Sequence, residues 1–277
     1  MIGLISTLPA SILSALEGMP SWLAVTSAAL FGAVIASLCG VVAERLPHQL
    51  GLVDEPEEGL SIAYPPSRCD ACRKPLDILS IVPIAGFLLR RGHCPCSSIR
   101  VSPAYPVIEA VTAGISGLIA WKFGLGPVGL SLLVLTWTGL ALSWTDHLHQ
   151  ILPEVITIPL MWAGLLLSPF EIDPYARILG AFTGFLVMWL AFRVASVARG
   201  ERLFSGGDLA LAAAGGAWVG IQHLPLFIGV ASVLFIAEAA PMRRQGIVMV
   251  PFGPAIAVGL LFAACWAGLG LAPIGSL

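Results

Sequence analysis

Long apolar runs separated by short polar stretches fill most of the chain from Trp22 onward. A membrane-crossing helix needs about 20 mostly apolar residues. Runs at 22–42, 105–121, 127–144, 155–169, 176–197, 208–220, 224–240 and 250–271 therefore give eight candidate crossings. The stretch 2–16 is shorter, is followed by Glu17 and Pro20, and reads as a helix lying at the interface. One long polar segment, from Ala43 to about Ser102, interrupts the series after the first crossing. The pattern predicts an all-α, polytopic membrane bundle in three parts. These are 1–43 (interfacial segment and first crossing), 44–102 (polar insertion) and 103–277 (membrane-embedded domain).

Composition agrees with the pattern. Of 277 residues, 57% are hydrophobic and 11% charged, with mean hydropathy +0.92, against about 25% charged in a soluble domain. The first twenty residues hold no Lys or Arg, unlike a secretory leader with its basic start. Cationic residues also orient the crossings. With the N-terminus outside, every Lys and Arg except Lys122 and Arg177 falls in a cytoplasmic stretch, as the positive-inside rule requires.

That topology puts two acids on the cytoplasmic side. Asp146 closes the run ending at Trp144, and Asp208 opens a run with no other charge up to Gly220. An acid at the edge of an apolar span is costly and marks a functional site by default. Two carboxylates a few Å apart resist ionising together, so one keeps a proton while the other acts as base. This suits the activation of water for peptide hydrolysis. Asp208, Ala212, Gly216 and Gly220 share one helical face, and small residues at that spacing admit a neighbouring helix closely. Gly206 and Gly207 leave backbone open beside the acid, where a substrate chain could lie.

Other groups carry two readings each. His149, three residues after Asp146, either tunes that carboxylate or is a solvated interfacial imidazole. Glu154, after Pro153, either begins the next helix, where its charge suits the dipole, or meets a substrate. Glu109 either pairs with Arg100 or Arg45, or meets a positively charged substrate segment. Glu238 is expected to pair with Arg243 or Arg244, and Trp144 and Trp162 to be interfacial or packing aromatics.

Cys69 and Cys72, then Cys94 and Cys96, stand in two close pairs within the polar segment. Disulfides are disfavoured on a reducing side, and four thiols in this order suit a tetrahedral structural zinc. The second pair has one residue between its cysteines where a zinc knuckle has two, and His93 is a substitute ligand or a solvated loop residue. Cys39 and Cys265 sit singly in apolar runs and read as core.

Together these residues resemble the prepilin peptidases, bacterial inner-membrane aspartic proteases of the GxGD type. Arg45-Leu-Pro47 is similar to the end of the family's YRLP, and the four cysteines resemble its cytoplasmic zinc domain. Tyr105-Pro-Val-Ile-Glu109 is similar to its RYPxVE, and Asp146 to Pro159 to its DxDHxxLPDxLTLP. Gly206-Gly-Asp208 stands at GxGD, Gly215 to Gly220 at LGAWLG, and Pro251-Phe-Gly-Pro254 at PFGP.

The resemblance implies that Asp146 and Asp208 are the catalytic pair. It implies cleavage of the basic leader of type 4 prepilins or pseudopilins on the cytoplasmic side, and in better-known members methylation of the new N-terminus by S-adenosylmethionine. The chain departs from the family at several places. Ala210 stands for the lysine of GxGDxK, Ser205 for its first glycine, and Leu148 and Glu154 for two aspartates. Gly40 stands for the asparagine associated with methylation, a loss that bears on methyl transfer. Two other classes remain open at this point: a proton-coupled transporter using the same acids, and a catalytically weak homologue that binds pilins or assembly proteins without cutting them.

Overall fold

The computed structural model describes residues 10–68, 75–94, 100–200, 205–245 and 250–273. Its regular elements there are helices, in the order α1 (Ala10–Glu17), α2 (Ser21–Gln49), α3 (Ile78–Ile81), α4 (Ala85–Leu89), α5 (Ala104–Phe123), α6 (Pro127–His149), α7 (Glu154–Leu167), α8 (Pro174–Arg199), α9 (Gly206–Arg244) and α10 (Gly253–Gly268). Among the described residues five helices, α2, α5, α6, α8 and α9, are long and apolar enough to cross a membrane, while α7 and α10 are shorter apolar helices.

The chain divides into two compact units, Ile12–Gly126 and Met1–Ser11 with Pro127–Leu277. Polarity alone places divisions at 43 and 102; packing joins the first long helix, the polar segment and α5. In this unit α2 lies against α5 with almost no side chain between them. A Cβ at Gly32 would sit 2.8 Å from Ser116 Cβ, and one at Gly117 would sit 3.5 Å from Ala29 Cβ.

In the second unit α9 is the centre. Gly220 has φ +69° and ψ 174° inside it, a conformation only glycine takes readily. Along a straight helix, Gly215 and Phe227 would be about 18 Å apart, yet the Phe227 ring lies where a Gly215 side chain would be. The chain therefore folds back at Gly220, separating the apolar runs 208–220 and 224–240. We call the halves α9a (206–219) and α9b (221–244).

The neighbours of α9 set its register. The carbonyl oxygens of Gly216 and Ala212 press on Gly180 and Gly184 of α8, so α8 and α9a run antiparallel. The small-residue face of α9a thus admits α8, rather than the helix carrying Asp146. Gly164 of α7 meets Ala217 and Trp218, whose indole N–H donates to Leu160 O at 2.9 Å. Helix α10 packs on α9b through Gly259, whose Cβ would stand 2.9 Å from Ala231 Cβ. At α8 and α10 glycine meets backbone or a small side chain, the means by which helices associate where burial from water supplies no drive, while Gly164 and Gly215 make room for the Trp218 and Phe227 rings.

Candidate active site

Asp146 lies in the last turn of α6. Gln150 ends that helix with φ +57°, its backbone and side-chain amides donating to Asp146 O at 2.9 and 3.1 Å. The Asp146 side chain is 5% exposed. Its Oδ2 accepts the Gly253 N–H at 2.7 Å, and the Phe252 amide also reaches the carboxyl. Both amides belong to the N-terminus of α10, where free N–H groups and the helix dipole favour an anion.

Asp208 is the third residue of α9, 8% exposed. Its own N–H donates to the hydroxyl of Ser205, the N-cap. The serine that replaces a family glycine thus starts the helix bearing the acid.

A single leucine ties these pieces together. A Cβ at Gly207 would lie 2.6 Å from Leu152 Cβ, and one at Gly253 would lie 3.1 Å from Leu152 Cδ2 and 2.9 Å from Asp146 Oδ2. Leu152, buried in the link between α6 and α7, is therefore clasped by the glycine before Asp208 and the glycine that holds Asp146. Asp146 and Asp208 come within electrostatic reach of each other. Two acids so placed, each beside a glycine packed against Leu152, bring two carboxyl groups to one end of the second unit.

The chain was compared with known proteins on this footing. Residues 30–123 match the Bacterial Peptidase A24 N-terminal domain, and residues 133–239 match the Type IV leader peptidase family. The two matched stretches fall within the two compact units. The prepilin leader peptidase/N-methyltransferase of Neisseria gonorrhoeae is 34% identical over 254 residues, covering 85% of this chain and 88% of the relative. The proteins of the same name from Pseudomonas aeruginosa and Klebsiella pneumoniae are 32% and 36% identical, with 86% and 73% of this chain aligned to 88% of each relative. The chain belongs to the type IV leader peptidase family. It is a peptidase and a multi-pass membrane protein, and membership favours neither the transporter nor the non-cutting homologue. No solved structure matches the chain.

The other groups singled out in this leader peptidase are distributed unevenly. Gly206 and Gly207 open α9 beside Asp208. Glu154 begins α7 after Pro153, exposed in its first turn. His149 is half-buried in the last turn of α6, while His147 is the imidazole found in electrostatic reach of Asp146. Glu238, expected beside Arg243 or Arg244, forms no ion pair with either among the described residues and is in electrostatic reach of Asp146. Phe235, three residues earlier, packs on Phe252 with ring centroids 4.5 Å apart, and this seats that face of α9b beside the Gly253 amide. The ion pair found among the described residues joins Asp77 to Arg90. The Ser80 hydroxyl and then Arg90 hold the Asp77 carboxyl below its ordinary value.

Glu109 belongs to the other unit. Neither Arg100 nor Arg45 pairs with it among the described residues. It accepts the Ile84 N–H at 2.6 Å and a hydrogen bond from Ser37, whereas Arg45 donates to Ser61 O and Pro65 O. Glu109 lines a cavity of about 260 Å³ with Glu44 and Tyr105, and Tyr105 donates its hydroxyl to Glu44 at 2.8 Å.

Cys69, Cys72 and Cys96 lie outside the described residues, and Cys94 is buried. The residues flanking each pair form an isolated antiparallel bridge, Arg68 with Pro75 and His93 with Arg100. Leu76 N–H donates to Ser67 O and Val101 N–H to Gly92 O. Four thiols in two pairs, each pair with bridged residues at its flanks, are the donor types that a structural zinc takes. No group of three metal-binding side chains occurs among the described residues.

The places taken by Ser205, Leu152, Gly253 and Glu238 were not given by sequence reasoning. Leu152 and Gly253 act through packing and backbone, and Ser205 through its capping hydroxyl. Gly253 lay in the PFGP match, which gave a signal without a role.

Proposed function

We propose that this leader peptidase is an aspartic endopeptidase in which Asp146 and Asp208 share one water. The observation that supports the reading is Asp146 held by the Gly253 amide at 2.7 Å, with Leu152 packed between Gly253 and Gly207, the residue before Asp208. The ionised member takes a proton from water as the water oxygen bonds to the scissile carbonyl carbon. The protonated member gives its proton to the carbonyl oxygen. The tetrahedral diol then collapses: one hydroxyl returns its proton to the carboxylate that had donated, the C–N bond breaks, and the leaving amine takes the proton acquired from water. The pair ends the cycle with one proton, as it began.

The substrates proposed are type 4 prepilins or pseudopilins, cut on the cytoplasmic side of the bacterial inner membrane. The relatives named above are prepilin leader peptidases. An N-terminus outside and eight crossings, with α7, α9a, α9b and α10 each counted, account for both acids at one face. Cys69, Cys72, Cys94 and Cys96 would hold a structural zinc that stabilises the polar segment and takes no part in the hydrolysis. Gly206, Gly207, Glu154, His149 and Glu109 support substrate or fold. Methyl transfer from S-adenosylmethionine stays a secondary proposal, because the relatives carry the N-methyltransferase name while Gly40 replaces the family's asparagine.

Purified protein in vesicles should convert a prepilin to its mature length, with the new N-terminus fixed by mass spectrometry. An intact prepilin after prolonged incubation, with protein of native helix content, rejects the reading. Elemental analysis should find about one zinc per chain. A chelator strong enough to remove it should lower the unfolding temperature without altering the cleavage position. A protein free of zinc as isolated, with unchanged stability, would remove that part.

A further inference from the structure

The glycine contacts of the second unit allow its helices to be compared level by level. Gly207 meets Leu152 and Gly164 meets Ala217, so α7 runs parallel to α9a, with Asp208 level with the start of α7. Gly180 meets Gly216 and Gly184 meets Ala212, so Asp208 is level with Met188 of α8 and Leu167 is level with Tyr175. Helices α7 and α8 are therefore flush at the end away from the acids.

They are not flush at the other end. The outward apolar face of α8 runs from Tyr175 through Ile178, Phe182, Leu190 and Val194 to Val197. At 1.5 Å per residue that is about 33 Å, enough for a hydrocarbon core of about 30 Å. Arg193 interrupts the strip, lies over the Trp189 ring at 5.8 Å, and has a stem long enough to reach headgroups. The outward face of α7 carries Val155, Ile158, Trp162, Leu166 and Leu167, about 18 Å in all. Pro153 and Glu154 bound it at the acid end; Ser168, Glu171 and Asp173 bound it at the other. The whole deficit of about 15 Å thus falls at the level of Asp208.

We propose that α7 recruits and holds a locally thinned bilayer, its leaflet drawn down on the acid side until headgroups and water reach the level of Asp208. The partner is phosphatidyl lipid of short acyl chain. A short helix is accommodated by thinning, at a fraction of a kcal/mol per Å, and lipids whose chains already fit are favoured beside it. The lipid claim stands on helix register alone. Its consequence, that water and an extended substrate reach the dyad with no channel through protein, rests on the proposed hydrolysis.

Trp162, at the middle of the short face and 54% exposed, is the natural probe. The protein and its Trp162→Phe variant are placed in vesicles that mix a brominated eighteen-carbon phosphatidylcholine with an unbrominated one of fourteen or twenty-two carbons. The difference between the two proteins isolates the emission of Trp162. Short lipid should displace the brominated quencher, leaving quenching at least about twofold weaker in the fourteen-carbon mixture than in the twenty-two-carbon one. Equal quenching in both, or the reverse order, overturns the proposal. No quenching in either would mean that a protein surface covers α7, which overturns it as well. Because the readout is lipid contact, loss of prepilin cleavage leaves this result standing.

Discussion

Asp146 and Glu109 are both buried acids that accept a backbone amide, from Gly253 at 2.7 Å and from Ile84 at 2.6 Å. They differ in what else reaches the carboxyl. At Asp146 a second acid, Asp208, is in electrostatic reach, and Glu238 and His147 lie nearby. At Glu109 it is the hydroxyl of Ser37. The Ile84 amide that serves Glu109 comes from a β-branched residue at φ +59°, a conformation that costs about 1–3 kcal/mol and persists only where its surroundings enforce it. The same device, an amide on a carboxylate, thus anchors a loop in one unit and, in the proposed hydrolysis, orients the reacting group in the other.

The largest expected effect is at the pair. Asp208→Asn should lower prepilin turnover about a thousandfold, within the range lost with a general acid or base. Retention of more than a tenth of the turnover would make Asp208 a structural acid like Glu109.

Gly253→Ala comes next. The new methyl would stand 2.9 Å from Asp146 Oδ2 and 3.1 Å from its Cβ, so the carboxyl must move. A displacement on the order of 1 Å can cost about a hundredfold in turnover, with a stability loss of about 1–3 kcal/mol. Turnover and denaturant midpoints measured together separate the two. A fall in stability with unchanged turnover would mean that the amide does not orient the acid.

Glu109→Ala should do the reverse. It leaves the Ile84 N–H without its acceptor, costing about 1–3 kcal/mol in unfolding measurements, while folded protein keeps turnover within about threefold. Glu109→Gln, which retains an acceptor, should be milder on both counts. A loss at Glu109→Ala as deep as at Asp208→Asn would erase the contrast between the units.

The membrane class was legible in the apolar runs, and Asp146 and Asp208 stood out there as charges at the edges of such runs; both are buried. The reversal at Gly220 also left a mark, in the weak spot between 208–220 and 224–240. Glu154 at the start of α7 followed from Pro153 and helix-end electrostatics. The partners were not legible. The Gly253 amide is 107 residues from Asp146, and a backbone N–H has no signature in the side-chain code. Glu109 and Glu238 were matched to arginines because opposite charge is the partner that a sequence displays. One found an amide and the other a place near the dyad. The small-residue face of α9a correctly signalled close approach but could not name the helix, since α8 and α6 both offer apolar faces.

Whether Asp146 and Asp208 act as one device is read most directly by comparing turnover in Asp146→Asn, Asp208→Asn and the double variant against a single prepilin in vesicles. Groups that work as a unit are strongly non-additive. Each single change should cost about a thousandfold, and the double should be no slower than the worse single. Losses that multiply in the double variant, or either single variant cutting at the parent rate, would contradict a shared site.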